Sequence, residues 1–500
     1  MSSISRRRFL GGSLVAGSAL TGTGFFHLGL SAAEKAPGAN DTLGVMVMGC
    51  GSRGLGSHVR EFLADPRTKI VYLCDADKTH AEKAASIVEK KQGFRPKIVA
   101  DMRDALSDKS IDIVSCASPN HWHALCGVWA MQAGKDVYLE KPICHNIHEG
   151  KALIAAAKKY GRMCQVGSQC RSNPALIDGF AFLASGGIGE INLVRGLCYK
   201  RRKSIGALGQ YPVPEGVDYN LWSGPAPMVN PVTRPNFHYD WHWQRLFGNG
   251  DSGNQGPHQT DIARSALGVV DFPTSVISYG GRLGYPEERK DPNYVDAGDT
   301  ANTEVSIYNY PGGKTLVFET RGLETEALNG AKIGVVAYGT EGTWVQVNYS
   351  LSIAYDKAGK VIKEFKGGKD SNHFSNFIEA CLKRDYNSLN ANARVGHLSA
   401  GLSHIGNISY YLGEKNKVSP EEAIAAIKSV PGNDNNQETL TRTLEHLAAN
   451  KVDLKRTPIS LGPMLKFDPE TEHFVDNEEA KKMETRDYRG EFVVPDAEKV

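Results

Sequence analysis

The sequence lacks the features of a disulfide-rich, zinc-binding or strongly charged protein. Its nine cysteines form no C-x-x-C pair and no cysteine–histidine spacing typical of zinc, so neither a disulfide framework nor a metal site is predicted. Lysine and arginine number 58 against 56 acidic residues, a net charge of +2, so no nucleic-acid partner is expected. Internal repeats and low-complexity segments are also missing. The 500 residues are 41% hydrophobic and 23% charged, a globular composition at a length that favours two domains.

The first 33 residues have the layout of an export signal. Three consecutive arginines at 6–8 precede Phe9 and Leu10, a mildly apolar, glycine-rich stretch follows, and the small residues S-A-A at 31–33 fit a cleavage site. The arginine pair resembles a twin-arginine signal, whereas the glycines make a poor membrane anchor. We therefore predict that 1–33 is a twin-arginine signal peptide. The mature protein is then periplasmic or secreted, exported already folded, and has no membrane span.

The first half alternates apolar strand-like segments with amphipathic helix-like segments. Strands are predicted at 43–48, 69–74, 98–100, 112–118, 136–139 and 163–167, and helices at 78–91, 121–133 and 147–160. Such alternation is typical of a parallel sheet covered by helices on both faces. The fold class predicted for 40–168 is therefore α/β, a Rossmann dinucleotide-binding domain.

A glycine loop supports dinucleotide binding. The sequence G-C-G-S-R-G at 49–54 follows a strand and precedes a helix, and Asp75 ends the next strand. In this context the glycines let the backbone approach a pyrophosphate, and the helix N-terminus faces the phosphates. Asp75 would accept hydrogen bonds from ribose hydroxyls and repel a 2′-phosphate, which favours NAD over NADP. A glycine turn that only packs a helix on a strand is the alternative.

Two further motifs lie where predicted strands end. They are S-P-N-H-W-H at 118–123 and E-K-P at 140–142. With the glycine loop, Asp75 and a later histidine, they make residues 40–410 resemble the Gfo/Idh/MocA oxidoreductase family, which includes inositol dehydrogenase and glucose–fructose oxidoreductase. An ammonium at Lys141 could orient a substrate hydroxyl and stabilise a developing alkoxide.

The resemblance implies a set of cofactor-contacting residues. Alternative packing roles stay open for His121, as a helix-start residue, and for Trp122. The implied set is Gly49, Gly51, Ser52, Arg53, Gly54, Asp75, Asn120, His121, Trp122, His123, Glu140, Lys141 and Gln169.

The second half has a different pattern, with short strands separated by tight turns such as P-G-G at 311–313. This predicts an α+β domain over 169–412 with an open, mainly antiparallel sheet, followed by a helical and extended tail at 413–500. One sheet face should carry helices. The family's other face often mediates oligomer contacts, so a homo-oligomer, dimer or tetramer, is expected.

The segment 237–261 is rich in aromatic, amide and acidic residues, a mixture that suits a sugar. His258 is the general-base candidate, with a core histidine as the alternative. Family dehydrogenases commonly have an aspartate four residues before this histidine, but Asn254 stands there, so Asp251 or Asp240 could substitute, or His258 could act with Lys141 alone. The predicted substrate-binding residues are Arg171, Tyr239, Trp241, Asp251, Asn254 and His258.

The sequence is therefore compatible with three functions. The first is an exported oxidoreductase with tightly bound NAD that acts on a sugar, glycoside or polyol by hydride transfer. The second is an NAD-dependent glycoside hydrolase or lyase that works by transient oxidation and elimination. Such enzymes often lack the lysine of E-K-P, which is present here as Lys141. The third is a sugar-binding protein without activity, against which the presence of both Lys141 and His258 argues.

Overall fold

A computed structural model of the protein describes residues 42–432 and 436–500. The predicted export signal lies outside these residues. Six strands form the first sheet, namely β1 (Leu43–Met48), β2 (Thr68–Cys74), β3 (Lys97–Val99), β4 (Ile113–Cys116), β5 (Asp136–Leu139) and β6 (Cys164–Val166). All neighbours pair in parallel in the order β3-β2-β1-β4-β5-β6. This order confirms the predicted Rossmann sheet.

Helices connect these strands and begin and end at residues suited to the task. The helix after the glycine loop starts with a wide turn at Gly54–Val59 and continues as α1 (Arg60–Ala64). The others are α2 (Lys78–Gln92), α3 (Asn120–Gln132) and α4 (Ile147–Tyr160). The side chains of Asp77 and Asn146 cap the N-termini of α2 and α4, and left-handed Gly93 and Gly161 end them.

The second sheet is open, mixed and mainly antiparallel, as predicted. Its strands are β7 (Ile191–Cys198), β8 (Ser275–Gly281), β9 (Thr303–Asn309), β10 (Thr315–Arg321), β11 (Ile333–Gly339), β12 (Gly342–Asn348), β13 (Leu351–Asp356), β14 (Val361–Lys366), β15 (Lys417–Val418), β16 (Ile459–Leu461), β17 (Leu465–Asp468) and β18 (His473–Val475). The main path runs β14-β13-β12-β11-β7-β10-β9-β8-β16-β15, and only β7 and β10 pair in parallel along it. The last four strands come from residues after 412.

The remaining helices are α5 (Pro174–Ala184), α6 (Tyr219–Ser223), α7 (Gly250–Asn254), α8 (Gly256–Leu267), α9 (Pro286–Lys290), α10 (Ser371–Lys383), α11 (Ala393–Leu412), α12 (Pro420–Lys428), α13 (Asn436–Ala449) and α14 (Glu478–Lys482). Helices α8 and α11 pack together on one face of the second sheet, where Ile262 and Leu402 join its core. Among the described residues, no helix has the length and apolar character needed to cross a membrane.

The chain returns twice to the first sheet. Phe374 of α10 stacks on Tyr138 of β5, with ring centroids 4.4 Å apart. The end of the chain adds Phe492, Val494 and Val500 to the core beside α3. The polypeptide therefore passes between the sheets more often than a division at residues 168 and 412 implies, and those boundaries stay a prediction.

Candidate active site

A cavity of about 680 Å³ lies at the carboxyl ends of the first sheet's strands. The glycine loop, Asp75 and Lys141 line it on one side. The other side is lined by residues from the second half of the chain, namely Asn236, His238, Tyr239, Trp241, His242 and Asn254. Ligands of open α/β sheets bind at this edge, so the cavity is the candidate active site.

The glycine loop has the shape that a dinucleotide requires. Gly49 has a φ of +85°, and a Cβ there would lie 2.6 Å from the backbone nitrogen of Ser118. A Cβ on Gly54 would lie 1.7 Å from the carbonyl oxygen of Gly49. Both positions therefore exclude any larger residue, and the close turn leaves the loop backbone facing the cavity beside Ser52 and Arg53. These residues fit the pyrophosphate of a dinucleotide.

Asp75 ends β2 and holds the loop in place. One carboxylate oxygen accepts a hydrogen bond from the backbone of Cys50 at 2.6 Å, and the other accepts one from Asp77 at 2.8 Å. Burial raises the pKa of Asp75. Each oxygen keeps a second lone pair, and the side chain lines the cavity, so it can still accept a ribose hydroxyl.

Glu140 lines the cavity and is paired there with Arg53. The Arg53 Nε atom donates to Glu140 Oε1 at 2.6 Å, and His58 Nε2 lies 3.3 Å from the same oxygen. Burial alone would raise the pKa of Glu140, but these cationic and hydrogen-bonding partners hold it well below its usual range. Gln169 Nε2 donates weakly to Glu140 Oε1 at 3.4 Å. Gln169 thus supports Glu140 and does not itself line the cavity.

Lys141 is held at the cavity by Asn254. Its ammonium donates to the backbone oxygen of Asn254 at 2.7 Å and to the side-chain oxygen at 3.3 Å. Burial lowers the pKa of Lys141 to about 8; Glu140 opposes this shift, and Arg53 and other cations add to it. Asn254, at the position where the resemblance implies an aspartate, therefore orients the lysine.

His258 lies one helical turn after Asn254 and is buried. Its Nδ1 atom has no hydrogen-bond partner, and no carboxylate pairs with the ring among the described residues. Burial, with the Lys141 cation nearby, lowers the pKa of His258 to about 3, so the ring is neutral at physiological pH. Asp251 and Asp240 do not supply a partner. Asp251 binds Arg202 at 2.8 Å, and Asp240 accepts from the backbone of Asn236 at 2.8 Å.

The segment at 118–123 divides between the cavity and the packing around it. Asn120, Trp122 and His123 line the cavity. His123 also joins two loops, because its ring nitrogens lie 2.6 Å from the Pro142 oxygen and 2.7 Å from the Ser118 oxygen. His121 differs from the expected cofactor contact: it is fully buried, and its Nε2 atom lies 3.0 Å from the Trp222 oxygen. His121 therefore holds the loop that carries Trp222 in place.

The predicted sugar-binding residues separate in the same way. Tyr239, 45% exposed, and Trp241 line the cavity. Arg171 does not, because its Nε atom donates to Asp261 at 2.7 Å and its other end to Ser265 at 2.7 Å on α8. Asp251 is likewise buried behind Arg202.

Sequence reasoning missed several cavity residues. His242 stacks on Trp241 with ring centroids 3.7 Å apart, and its Nδ1 lies 2.6 Å from the Tyr239 oxygen. Since a carbonyl only accepts, Nδ1 carries the proton and Nε2 keeps a lone pair. The W-H-W sequence at 241–243 was the available signal. Other missed cavity residues include His80, Asp101, Lys200, Arg202, Leu221, Trp222, Asn236 and His238.

Comparisons with known proteins agree with this geometry. Residues 43–168 match the model of an oxidoreductase family with an NAD-binding Rossmann fold. Levoglucosan dehydrogenase of Pseudarthrobacter phenanthrenivorans is 27% identical over 180 residues, 36% of this chain and 39% of that protein. A glycosyl hydrolase family 109 protein of Shewanella putrefaciens is 28% identical over 130 residues, 25% of this chain and 28% of that protein. This chain thus matches less than half the length of either relative.

A solved structure extends the likeness to the second sheet. Levoglucosan dehydrogenase in complex with NADH and levoglucosan superposes with a TM-score of 0.52 at 19% identity, over 73% of this chain and 95% of that one. This agreement concerns the fold, and the match at 43–168 concerns the sequence. Residues 43–168 therefore match the Gfo/Idh/MocA oxidoreductase family in sequence, and the rest of the chain resembles these oxidoreductases in fold.

Proposed function

We propose that this protein is an exported, NAD-dependent oxidoreductase that oxidises a hydroxyl of a sugar, glycoside or polyol. The observation that carries the proposal is the position of Lys141, whose ammonium is fixed by Asn254 between the nucleotide loop and the aromatic segment at 239–242. When bound, NAD supplies the hydride acceptor. The levoglucosan complex is a relative of the same fold that holds NADH with a sugar.

The chain's own residues divide the remaining work. Gly49, Gly54 and Asp75 would hold the dinucleotide, with NAD favoured over NADP by the carboxylate. The ammonium of Lys141 would orient the substrate oxygen and stabilise its negative charge as the proton leaves. His258, neutral beside that cation, is the proposed proton acceptor. Tyr239 and Trp241 offer ring faces to the apolar C–H surface of a sugar.

Export motivates the proposal that the nucleotide is not released between turnovers. A twin-arginine route carries folded proteins, so NAD could be bound before export, and a second substrate would then reoxidise it. The loop at 206–238 supports retention of the nucleotide, because its backbone forms hydrogen bonds with the nucleotide domain. The Asp218 nitrogen donates to the Ala76 oxygen at 2.8 Å, and the Lys78 nitrogen donates to the Gly216 oxygen at 3.2 Å. A homo-oligomer, dimer or tetramer, remains part of the proposal.

The test uses protein purified from the exported fraction. Denaturation should release about one equivalent of NAD(H) per chain, and a panel of sugars and glycosides analysed by mass spectrometry should yield a product that has lost two hydrogens. Lys141→Ala should abolish this product and leave the nucleotide content unchanged. Nucleotide-free protein that is inactive across the panel would contradict the proposal and favour a sugar-binding protein without activity.

A second candidate is NAD-dependent glycoside cleavage by transient oxidation and elimination. The similarity of 130 residues to a glycosyl hydrolase family 109 protein favours it. The same panel separates the two reactions, because cleavage releases the aglycone without net oxidation.

A further inference from the structure

Three potential metal ligands meet at the edge of the cavity near Asp75. Asp77 lies in the turn that begins α2, His80 lies in the first turn of that helix, and His238 comes from the loop before the aromatic segment. One ligand atom from each lies within 4.8 Å of the other two. None of the three residues takes part in the proposed reaction.

The two oxygens of Asp77 have different surroundings. Oδ1 caps α2 by accepting from the backbone of Thr79 at 2.7 Å. Oδ2 faces both imidazoles, 3.1 Å from His238 Nε2 and 3.8 Å from His80 Nδ1. The two rings lie side by side, with centroids 4.5 Å apart. A carboxylate oxygen and two imidazole nitrogens therefore converge on one point while the helix cap stays intact.

Ordinary ion pairing does not account for this convergence. Elsewhere among the described residues a buried carboxylate pairs with one histidine only, as Glu140, Glu472 and Glu484 do. Within the described residues, no lysine or arginine forms an ion pair with Asp77, whose carboxylate is buried. The nearest further acid is Asp75, 4.0 Å from His80 Nδ1. The charge balance of the cluster thus suits an added cation.

We infer that Asp77, His80 and His238 bind a divalent transition-metal ion of the Zn²⁺ class. Two imidazoles and one carboxylate form a ligand set that Zn²⁺ and Co²⁺ accept, with a fourth position left for water. With bonds of about 2.0–2.2 Å to the ion, His80 Nδ1 would have to move closer to Asp77 Oδ2 than its present 3.8 Å. His238 belongs to the loop at 206–238, whereas Asp77 and His80 belong to the nucleotide domain. The ion therefore holds this loop against the nucleotide domain, on the side of the cavity where Asp75 would bind the ribose.

The experiment titrates the metal-free full chain with Co²⁺ and follows its visible absorption, then displaces the ion with Zn²⁺. One equivalent should bind with the intense bands of a tetrahedral site. Asp77→Asn keeps a capping side chain and removes the charge, and His238→Gln removes one imidazole; each should weaken binding by at least about 10-fold. His473→Gln is the matched control, an exposed histidine beside Glu484. Zn²⁺ should also slow proteolysis of the loop at 206–238 in the wild type and not in His238→Gln.

No saturable binding, or equal loss in the His473 control, would overturn the site. Saturable binding without protection of the loop would overturn its fastening role. None of these measurements requires a sugar substrate, so the result stands apart from the proposed oxidoreductase activity.

Discussion

Lys141 can stabilise the substrate oxygen only while its side chain is protonated. Its surroundings set the pKa, and therefore the pH above which this charge is lost. Burial lowers its pKa to about 8, so the ammonium is present below this value and is lost above it. We expect kcat/KM to fall as the pH rises through about 8, whereas a lysine of ordinary pKa would stay charged to about pH 10. A pH profile with the sugar identified by the panel checks this.

A neighbouring lysine provides the sharper test of that assignment. Lys200 lines the cavity, and its charge contributes to the lowered pKa of Lys141. In Lys200→Met the alkaline limb should therefore move to higher pH, because one like charge has gone. Lys203→Met, at an exposed position nearby, should leave the limb unchanged. A limb that rises with pH would instead make the neutral amine of Lys141 the active form.

The charge of Lys141 contributes to the lowered pKa of two histidines, His258 and His242, and the same substitution in each distinguishes their roles. His258 is the proposed proton acceptor, so His258→Asn should lower kcat by about 10²–10⁴-fold. His242 stacks on Trp241 and lines the cavity, so His242→Asn should mainly raise KM through a lost substrate contact. Steady-state kinetics of both variants give the comparison. If kcat collapses in His242→Asn and survives in His258→Asn, His242 is the base.

At the scale of elements, the glycine loop shows how one hydrogen atom in place of a methyl group decides binding. Gly54→Ala would place a Cβ 1.7 Å from the Gly49 oxygen, so the loop must shift out of its shape. We expect little NAD in the purified variant and a lower melting temperature. Gly56→Ala is the matched control two residues later, where a Cβ meets nothing within 4 Å. Equal nucleotide content in the two variants would contradict the role of the loop.

Elements with a strong local pattern were predictable from the sequence. Strand β1 and helix α4 occur at the predicted bounds because a buried apolar run and a capped amphipathic helix are determined locally. Strand β14 lacks such a pattern, because it is mostly exposed and reads V-I-K-E-F-K, without a buried face. The strands after residue 412 are two to four residues long, and pairing with distant partners decides them.

The candidate site was predictable to the same extent. Strand ends carry the glycine loop, Asp75 and Lys141. The carboxyl ends of parallel strands lie at one edge of the sheet regardless of the conformation of the loops, so these residues were expected to lie together. Arg171 and Asp251 do not line the cavity, because each forms an ion pair, Arg171 with Asp261 and Asp251 with Arg202. These partners come close only in the folded chain. The Asp77 cluster was missed for the same reason, since His238 is far from it in sequence.

For the whole molecule, the tail at 413–500 affects both the sheets and the cavity. Helix α13 lies on the second sheet, where Arg442 binds Glu319 at 2.9 Å and Thr439 accepts from Arg195 at 2.9 Å. This helix covers part of the face expected to form oligomer contacts. Any dimer or tetramer must therefore use the remainder of that face or another surface, a matter for light scattering of the purified chain.

The final residues of the chain also hold the segment at 220–224 against the nucleotide domain. Arg489 donates to the Gly224 oxygen at 3.2 Å and to the Asn220 oxygen at 2.7 Å, while Phe492 packs edge-on against Trp122 with centroids 5.6 Å apart. Phe492 is 2% exposed and its neighbour Val493 is 47% exposed. Substitutions at these two positions therefore distinguish the effect of a buried tail side chain from the effect of an exposed one.

Phe492→Ala should lower the free energy of unfolding by about 3–5 kcal/mol, because it leaves a cavity beside Trp122. Val493→Ala should change it by less than about 0.5 kcal/mol. Urea unfolding of both variants measures the difference. Because the loop carries cavity residues and Phe492 anchors the segment that binds it, Phe492→Ala should also lose NAD faster on dialysis. If the variant is destabilised and yet retains its nucleotide like Val493→Ala, the tail stabilises the fold without closing the cavity.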